Sequence, residues 1–205
     1  MGPGSVAFSP DGHWLVATEK ATPAIDVFGV NRDGTLSQAT INKSVGAGTF
    51  SASFAPNGTL VVAETGIAGA TNGSAISSYV IQGDGTLKPV TTSEPTLGAA
   101  TCWEVTVDGK YVYTSNAGTS NISGYSLGAN GALSALGSTI VASNPSGSTN
   151  VDVAASSDGQ YLFTLNSGTG TVGVFAINPS TGGLTSLGDQ GNLPAGAGIN
   201  GIAAQ

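Results

Sequence analysis

Apolar and polar positions alternate in short runs along this chain, and the runs return in a fixed order. Four segments share one pattern, an apolar stretch, a tight polar turn ending in glycine, and a second apolar stretch: Phe8 to Val16, Phe54 to Val62, Val105 to Tyr113 and Ala155 to Phe163. Their turn glycines, Gly12, Gly58, Gly109 and Gly159, are spaced by 46, 51 and 50 residues. A second turn follows in each repeat, at Asp33-Gly34, Asp84-Gly85, Asn130-Gly131 and Gly182-Gly183. Asp-Gly and Asn-Gly between alternating stretches signal hairpins, because such turns need positive φ at their centre. A third strand lies between the two turns, over Ala24–Val30, Ala75–Ile81, Ile122–Leu127 and Thr171–Ile177. Each repeat therefore reads as four antiparallel strands, A to D.

Four-stranded units repeating at roughly 40–50 residues are the signature of an all-β β-propeller. The expected blades are 4–49, 50–100, 101–149 and 150–198, within a single domain spanning 1–205. A surplus A strand over 199–205 begins at Ile199-Asn200-Gly201-Ile202. A β-sandwich does not repeat itself this regularly, and a β-helix has shorter coils.

Composition sharpens this picture. The 205 residues include 32 glycines and 9 prolines, and only 8% are charged against 40% hydrophobic; the glycines follow no three-residue period, so collagen is excluded. No run approaches the roughly 18 apolar residues that span a bilayer. The net charge of −7 and only five Lys and Arg exclude a phosphate track and an anionic membrane surface as partners. Cys102 is the single cysteine, so no internal disulfide forms. Met1 to Gly4 runs straight into a strand, so no signal peptide is expected. The Ser/Thr/Gly-rich, lysine-poor surface nonetheless suits a secreted or periplasmic setting, with the cytoplasm left open.

The stretches Asp108–Asn116 and Asp158–Asn166, each followed by an apolar strand and then by [DN]-Gly-x-Leu in most repeats, resemble the lactonase-type propeller family, which takes in 6-phosphogluconolactonase and carboxymuconate cyclase and overlaps with YVTN repeats. The resemblance covers essentially the whole chain. It implies a hydrolase opening a small cyclic ester, and usually seven blades where this chain has four. Three arrangements follow: a truncated seven-blade protein, a closed four-blade ring, or two copies pairing their halves into a larger ring. The last predicts a homo-oligomer.

Propeller geometry sorts the polar residues. The A–B and C–D turns lie on one face, and the ends of B strands and starts of A strands on the other, where ligands bind. That places Glu19, Lys20, Glu64, Thr65, Asn116 and Asn166 near the binding face, with Thr101, Cys102, Glu104, Asn150 and Asp152 at the entry to A strands beside the central channel. His13 and Arg32 fall at the opposite turns. A six-residue strand is about 20 Å long, so the only histidine cannot serve the acidic group, and neither a Ser-His-Asp triad nor a Cys-His pair forms.

Counted back from the turn glycines, Glu104 stands where other repeats hold Ala7, Ser53 and Ala154, and Asp152 where they hold Ser5, Ser51 and Cys102. A buried unpaired carboxylate is costly, so Glu104 and Asp152 are the candidate catalytic acids; the structural alternative is a carboxylate held by amides, by a lysine or by channel water. Glu19, Lys20, Glu64, Asn116, Asn150 and Asn166 are candidate substrate-binding residues. Glu19 and Glu64 count as one residue out of register, with Lys20 neutralising Glu19 in the alternative reading. Asn116 and Asn166 recur at one position, which favours architecture. Trp14, Tyr111, Tyr113 and Tyr161 read as inter-blade core.

Three functions follow. The first is a lactonase-like hydrolase in which Glu104 or Asp152 activates water; it needs no cofactor, and the shortage of cationic residues points to a neutral or weakly charged small-molecule substrate. The histidine, glutamate and arginine set that the resemblance implies for the cyclase branch is not present. The second is a non-catalytic binding platform. The third is a divalent-cation-dependent esterase using Glu19, Glu64 and Glu104, oxygen donors of the kind hard cations prefer.

Overall fold

A computed structural model describes residues 2–67 and 70–205. Its described residues form sixteen strands in four four-stranded sheets. The first blade holds β1 (Pro3–Phe8), β2 (Trp14–Glu19), β3 (Ala24–Gly29) and β4 (Thr40–Lys43). The second holds β5 (Thr49–Phe54), β6 (Leu60–Glu64), β7 (Ala75–Ile81) and β8 (Leu87–Pro95). β9 (Thr101–Val107), β10 (Tyr111–Asn116), β11 (Asn121–Leu127) and β12 (Leu133–Ser143) make the third, and β13 (Asn150–Ala155), β14 (Tyr161–Asn166), β15 (Thr171–Ile177) and β16 (Leu184–Gly191) the fourth. Every sheet is an antiparallel meander in chain order, which is the propeller blade the turn spacing predicts.

The blades are stacked by their apolar faces, in line with strands buried on both sides. Val16 and Val27 of the first blade pack on Leu60 and Tyr79 of the second. Val61 and Ile76 meet Val112 and Tyr125 of the third, and Tyr113 and Ile122 meet Leu162 and Phe175 of the fourth. The inner strands follow one another, β1 against β5, β5 against β9 and β9 against β13, whereas β13 and β1 are not packed in this way. The blades thus form an open arc of a propeller rather than a closed four-blade ring.

Residues 199–205 lie where a surplus inner strand belongs, although they are held through a side chain rather than a strand ladder. The Ile202 amide donates to Asp152 Oδ2 at 2.9 Å. This repeats the bond from the Ala52 amide to Ser5 Oγ at 2.8 Å, which ties β5 to β1.

Strand pairing corrects the repeat alignment. Glu104 pairs with Thr114 and so corresponds to Val6, Ala52 and Val153, which pair with Ala17, Val62 and Thr164; it does not correspond to Ala7, Ser53 and Ala154. Asp152 then corresponds to Ser5, Ser51 and Trp103, not Cys102. The reason is turn length: five residues separate the pairs Phe54–Leu60 and Thr106–Val112, six separate Phe8–Leu15 and Ala155–Leu162. In the third blade the missing residue lies before the glycine, so counting from Gly109 slips the inner strand by one.

Candidate functional site

The outer ends of the four B strands form one structural layer. Glu19, Glu64, Asn116 and Asn166 all pair with the first residues of their A and C strands, so they are equivalent, and Glu19 and Glu64 are in register after all. Asn116 is fully buried: its Oδ1 accepts from Thr101 Oγ1 at 2.5 Å, and its Nδ2 donates to Asn121 Oδ1 and Ser123 Oγ, each at 2.8 Å. Asn166, equally buried, reaches Asn144, Thr171 and Asp189. Glu64 plays the same part in the second blade. Its two oxygens accept from Ser77 Oγ at 2.6 Å and Ser93 Oγ at 2.8 Å, and a Cβ on Gly46 would overlap its carboxylate. Only Gly leaves the room that this buried acid occupies.

In the first blade Glu19 accepts from Thr22 Oγ1. Burial, and then the neighbouring Glu19 carboxylate, push Asp26 above its ordinary value. Lys20 does not neutralise Glu19: its Nζ sits 4.3 Å over the Phe50 ring, and among the described residues the one ion pair is His13 with Asp11, 3.1 Å apart at the opposite turns. Glu19, Glu64 and Glu104 are each bound within their own surroundings, and no three His, Cys, Asp or Glu side chains among the described residues converge on a metal-sized site. The three-carboxylate metal centre is therefore not formed by these residues.

The channel side is different. Glu104, on β9, and Asp152, on β13, line one cavity of about 180 Å³ together with Ser5, Ser51, Ala52, Ser53 and Trp103. Glu104 faces the second blade from a position that is apolar in the other three, so its carboxyl enters an interface built for packing. It is 8% exposed. One oxygen accepts from Ser51 Oγ, while Oε1 is buried with no hydrogen-bond partner. Burial pushes this carboxyl well above its ordinary value of 4.5; the Ser53 hydroxyl and the Glu104 backbone pull the other way, and the charge on Asp152 adds a small upward push; loss of hydration disfavours the charged form.

Asp152 is just as buried, at 7% exposure, and burial raises it too. Its oxygens are nevertheless both engaged, Oδ1 by the Val153 amide at 2.7 Å and Oδ2 by the Ile202 amide at 2.9 Å. Asn150 lies fully buried at the start of β13, its Nδ2 donating to Asn121 O at 3.0 Å; it spans two blades instead of facing the cavity. Next door, Phe50, Cys102, Trp103, Val151 and Asn200 line a second cavity of about 260 Å³. Trp103 stands edge-to-face on Phe50 with centroids 5.0 Å apart, so Lys20, Phe50 and Trp103 form a continuous stack leading to Glu104.

Of the residues singled out in the sequence, the structure brings together Glu104 and Asp152 and sets Lys20 at the edge of the same region. Glu19, Glu64, Asn116, Asn150 and Asn166 belong to the inter-strand layer. The sequence reading missed Ser51, Ser53 and Trp103 as parts of a site. Trp103 carried a usable signal: in the corrected register it replaces a residue that is serine in two other blades.

The fold has many relatives among solved structures. A periplasmic gluconolactonase of Pseudomonas aeruginosa superposes with a TM-score of 0.76 at 20% identity, covering 97% of this chain and 59% of that one. A Bacteroides uniformis protein described as a candidate 6-phosphogluconolactonase gives 0.76 at 22%, covering 94% and 56%. A protein from Lactobacillus plantarum gives 0.75 at 22%, covering 92% and 57%. This chain thus spans less than three-fifths of each, as four blades of seven require. No curated protein matches the sequence. The model of the family described as "Lactonase, 7-bladed beta-propeller" matches residues 5–199, and the chain belongs to that family.

Proposed function

We propose that this chain is a lactonase-like hydrolase whose working group is Glu104. The observation that carries the reading is the free oxygen of that carboxyl: Oε1 is buried and makes no well-formed hydrogen bond, the neighbouring Ser53 hydroxyl is likewise without a partner, and both border one cavity. A carboxyl held above its ordinary range is suited to proton transfer near neutral pH. In its ionised form Oε1 takes a proton from a water that attacks the lactone carbonyl carbon. The ring C–O bond then breaks, and the protonated carboxyl returns the proton to the leaving alkoxide. The hydroxyl of Ser53, which has no partner in the fold, is the donor available to substrate oxygens, including the carbonyl oxygen as charge grows on it. No cation lines the cavity, which favours a neutral lactone. Membership of the lactonase family supports the chemistry, and the periplasmic relative is in keeping with an exported setting.

A second reading, a non-catalytic binding platform, is favoured by one observation: Glu64, Asn116 and Asn166, polar residues at the binding face, are consumed in tying strands together. Hydrolysis of neutral five- and six-membered lactones, followed by proton release, separates the two. Turnover by the wild type that falls at least about a hundredfold in Glu104→Gln supports the hydrolase. Lactone binding without turnover supports the platform.

A further inference from the structure

Each inner strand carries one extra residue at the same level. The ladder of β9 passes from Thr101 to Trp103 while its partner strand moves by a single residue, from Asn116 to Ser115, so Cys102 is left over. In β13 the residue left over is Val151, between Asn150 and Asp152. The same shift falls between Thr49 and Ala52 in β5 and between Pro3 and Val6 in β1. Since Ser5, Ser51, Trp103 and Asp152 are equivalent, the extra residues there are Gly4 and Phe50. A bulge re-aims the side chain it carries. Phe50, Cys102 and Val151 all line the cavity of about 260 Å³ beside that of Glu104. Asn200 lines it too, and it precedes Ile202 by the interval that separates Phe50 from Ala52, the residue whose amide plays the same part.

The backbone sets where these side chains point, but it does not choose them. At Gly4 a Cβ would overlap Phe50 O and Thr18 Oγ1, so that position is closed. Where a side chain is allowed, one blade holds an aromatic ring, one a thiol and one a branched aliphatic, so the content of the cavity makes the choice. That content is apolar. Phe50, Trp103 and Val151 are half-buried and present hydrocarbon. Cys102 donates its thiol to Ala100 O at 3.2 Å, and burial pushes that thiol above its ordinary value, so it acts as a small apolar group. The Asn200 amide turns back to donate to Gly198 O at 3.2 Å. Among the described residues no charged side chain lines this cavity. The neighbouring cavity is its opposite, with three serines and two acids, and Trp103 lines both.

We propose that this second cavity takes an apolar substituent of the substrate, so that the chain acts on alkyl- or aryl-substituted lactones in preference to polyhydroxylated ones. The proposal rests on the hydrolase reading, since it takes the lactone carbonyl to be held at Glu104. A substrate placed there has the Trp103 indole at its side and the apolar cavity beyond it. An apolar cavity of about 150 Å³ accommodates a benzene ring. The cavity beside Trp103, at about 260 Å³, therefore holds a phenyl group or a chain of several carbons.

The test is a series of five-membered lactones bearing hydrogen, methyl, butyl, hexyl or phenyl on the ring carbon beside the ring oxygen. Cyclopentanones bearing the same groups at the matching carbon have no ester bond to break, and calorimetry reads their binding apart from turnover. In the wild type, kcat/KM and ketone affinity should both rise about fourfold per methylene over the first few carbons and then level off as the cavity fills. Val151→Phe, which fills the cavity from within, should cut the butyl-to-hydrogen ratio at least about tenfold in both measurements; Cys102→Phe does the same from the neighbouring strand and replaces it if Val151→Phe fails to fold. Turnover that ignores the substituent overturns this proposal and leaves the hydrolase standing. Ketone binding with the expected dependence, but no turnover of any lactone, keeps the apolar cavity and overturns the hydrolase. A dependence that survives both substitutions, or an equal gain from a hydroxyl-bearing chain of the same length, also overturns the proposal.

Discussion

Glu104 and Asp152 are two buried acids on neighbouring inner strands, and they differ in what the backbone does for them. Asp152 stands where Ser5 stands in the first blade and accepts two amide hydrogens. Glu104 stands where the other blades place Val6, Ala52 and Val153, and one of its oxygens accepts nothing. A carboxylate that satisfies backbone donors contributes to the fold, and one left without donors in a cavity is available to a ligand. Equal burial and equal chemistry thus give unequal roles, and the difference is set by register.

The largest effect is expected from removing that free oxygen's basicity. Glu104→Gln keeps the shape and lowers kcat for lactone hydrolysis by about a hundredfold to ten-thousandfold, the range for a general base, while Asp152→Asn lowers it by less than about tenfold. Initial rates at saturating lactone check both. Equal losses would erase the distinction between the two acids.

The same contrast is readable in stability. The Glu104 carboxyl is raised in the folded protein from 4.5, so in the window above that value the folded state binds more protons than the unfolded state. Stability is then greatest below pH 4.5 for this group, and it declines as pH rises toward the folded value, by at most about 1.4 kcal/mol per pH unit. Urea unfolding across pH 4.5 to 8 should show a decline in the wild type that is shallower in Glu104→Gln. A decline of the same slope in both would mean that Glu104 is not the group held protonated.

The backbone half of the comparison is sharpened by Asp152. Asp152→Ala leaves the amides of Val153 and Ile202 without their acceptor and should cost about 1–3 kcal/mol. Asp152→Ser, which restores the residue of the first blade, should recover most of that loss, since Ser5 Oγ already accepts the Ala52 amide. Denaturant midpoints at a pH where the protein is stable measure both.

The fold was legible because its information is local and repeated: glycines such as Gly85, at φ +81°, mark hairpins wherever they occur. The site was legible only as far as composition goes. Glu104 stood out as an acid in a neutral repeat, but its true counterparts are found by strand pairing, which a one-residue change in turn length hides. Glu19 and Glu64 were separated for the same reason on the other side of the turn. Phe50, Ser51 and Trp103 come to Glu104 from different strands, and no spacing along the chain announces that meeting.

The smallest effect concerns Lys20, at the outer end of the Phe50–Trp103 stack. Its ammonium sits 4.3 Å over Phe50, which in turn supports Trp103 edge-to-face. An exposed cation–π contact contributes about 0.5–1 kcal/mol, so Lys20→Gln should lower stability by no more than that. If Lys20 serves the stack and not the substrate, the KM for a neutral lactone changes less than about threefold, because under 0.7 kcal/mol of binding is at stake. An increase of tenfold or more with kcat unchanged would mean direct binding of substrate by Lys20. That result would extend the site from the cavity beside Glu104 along the Phe50–Trp103 stack, and it would make an anionic lactone the better substrate.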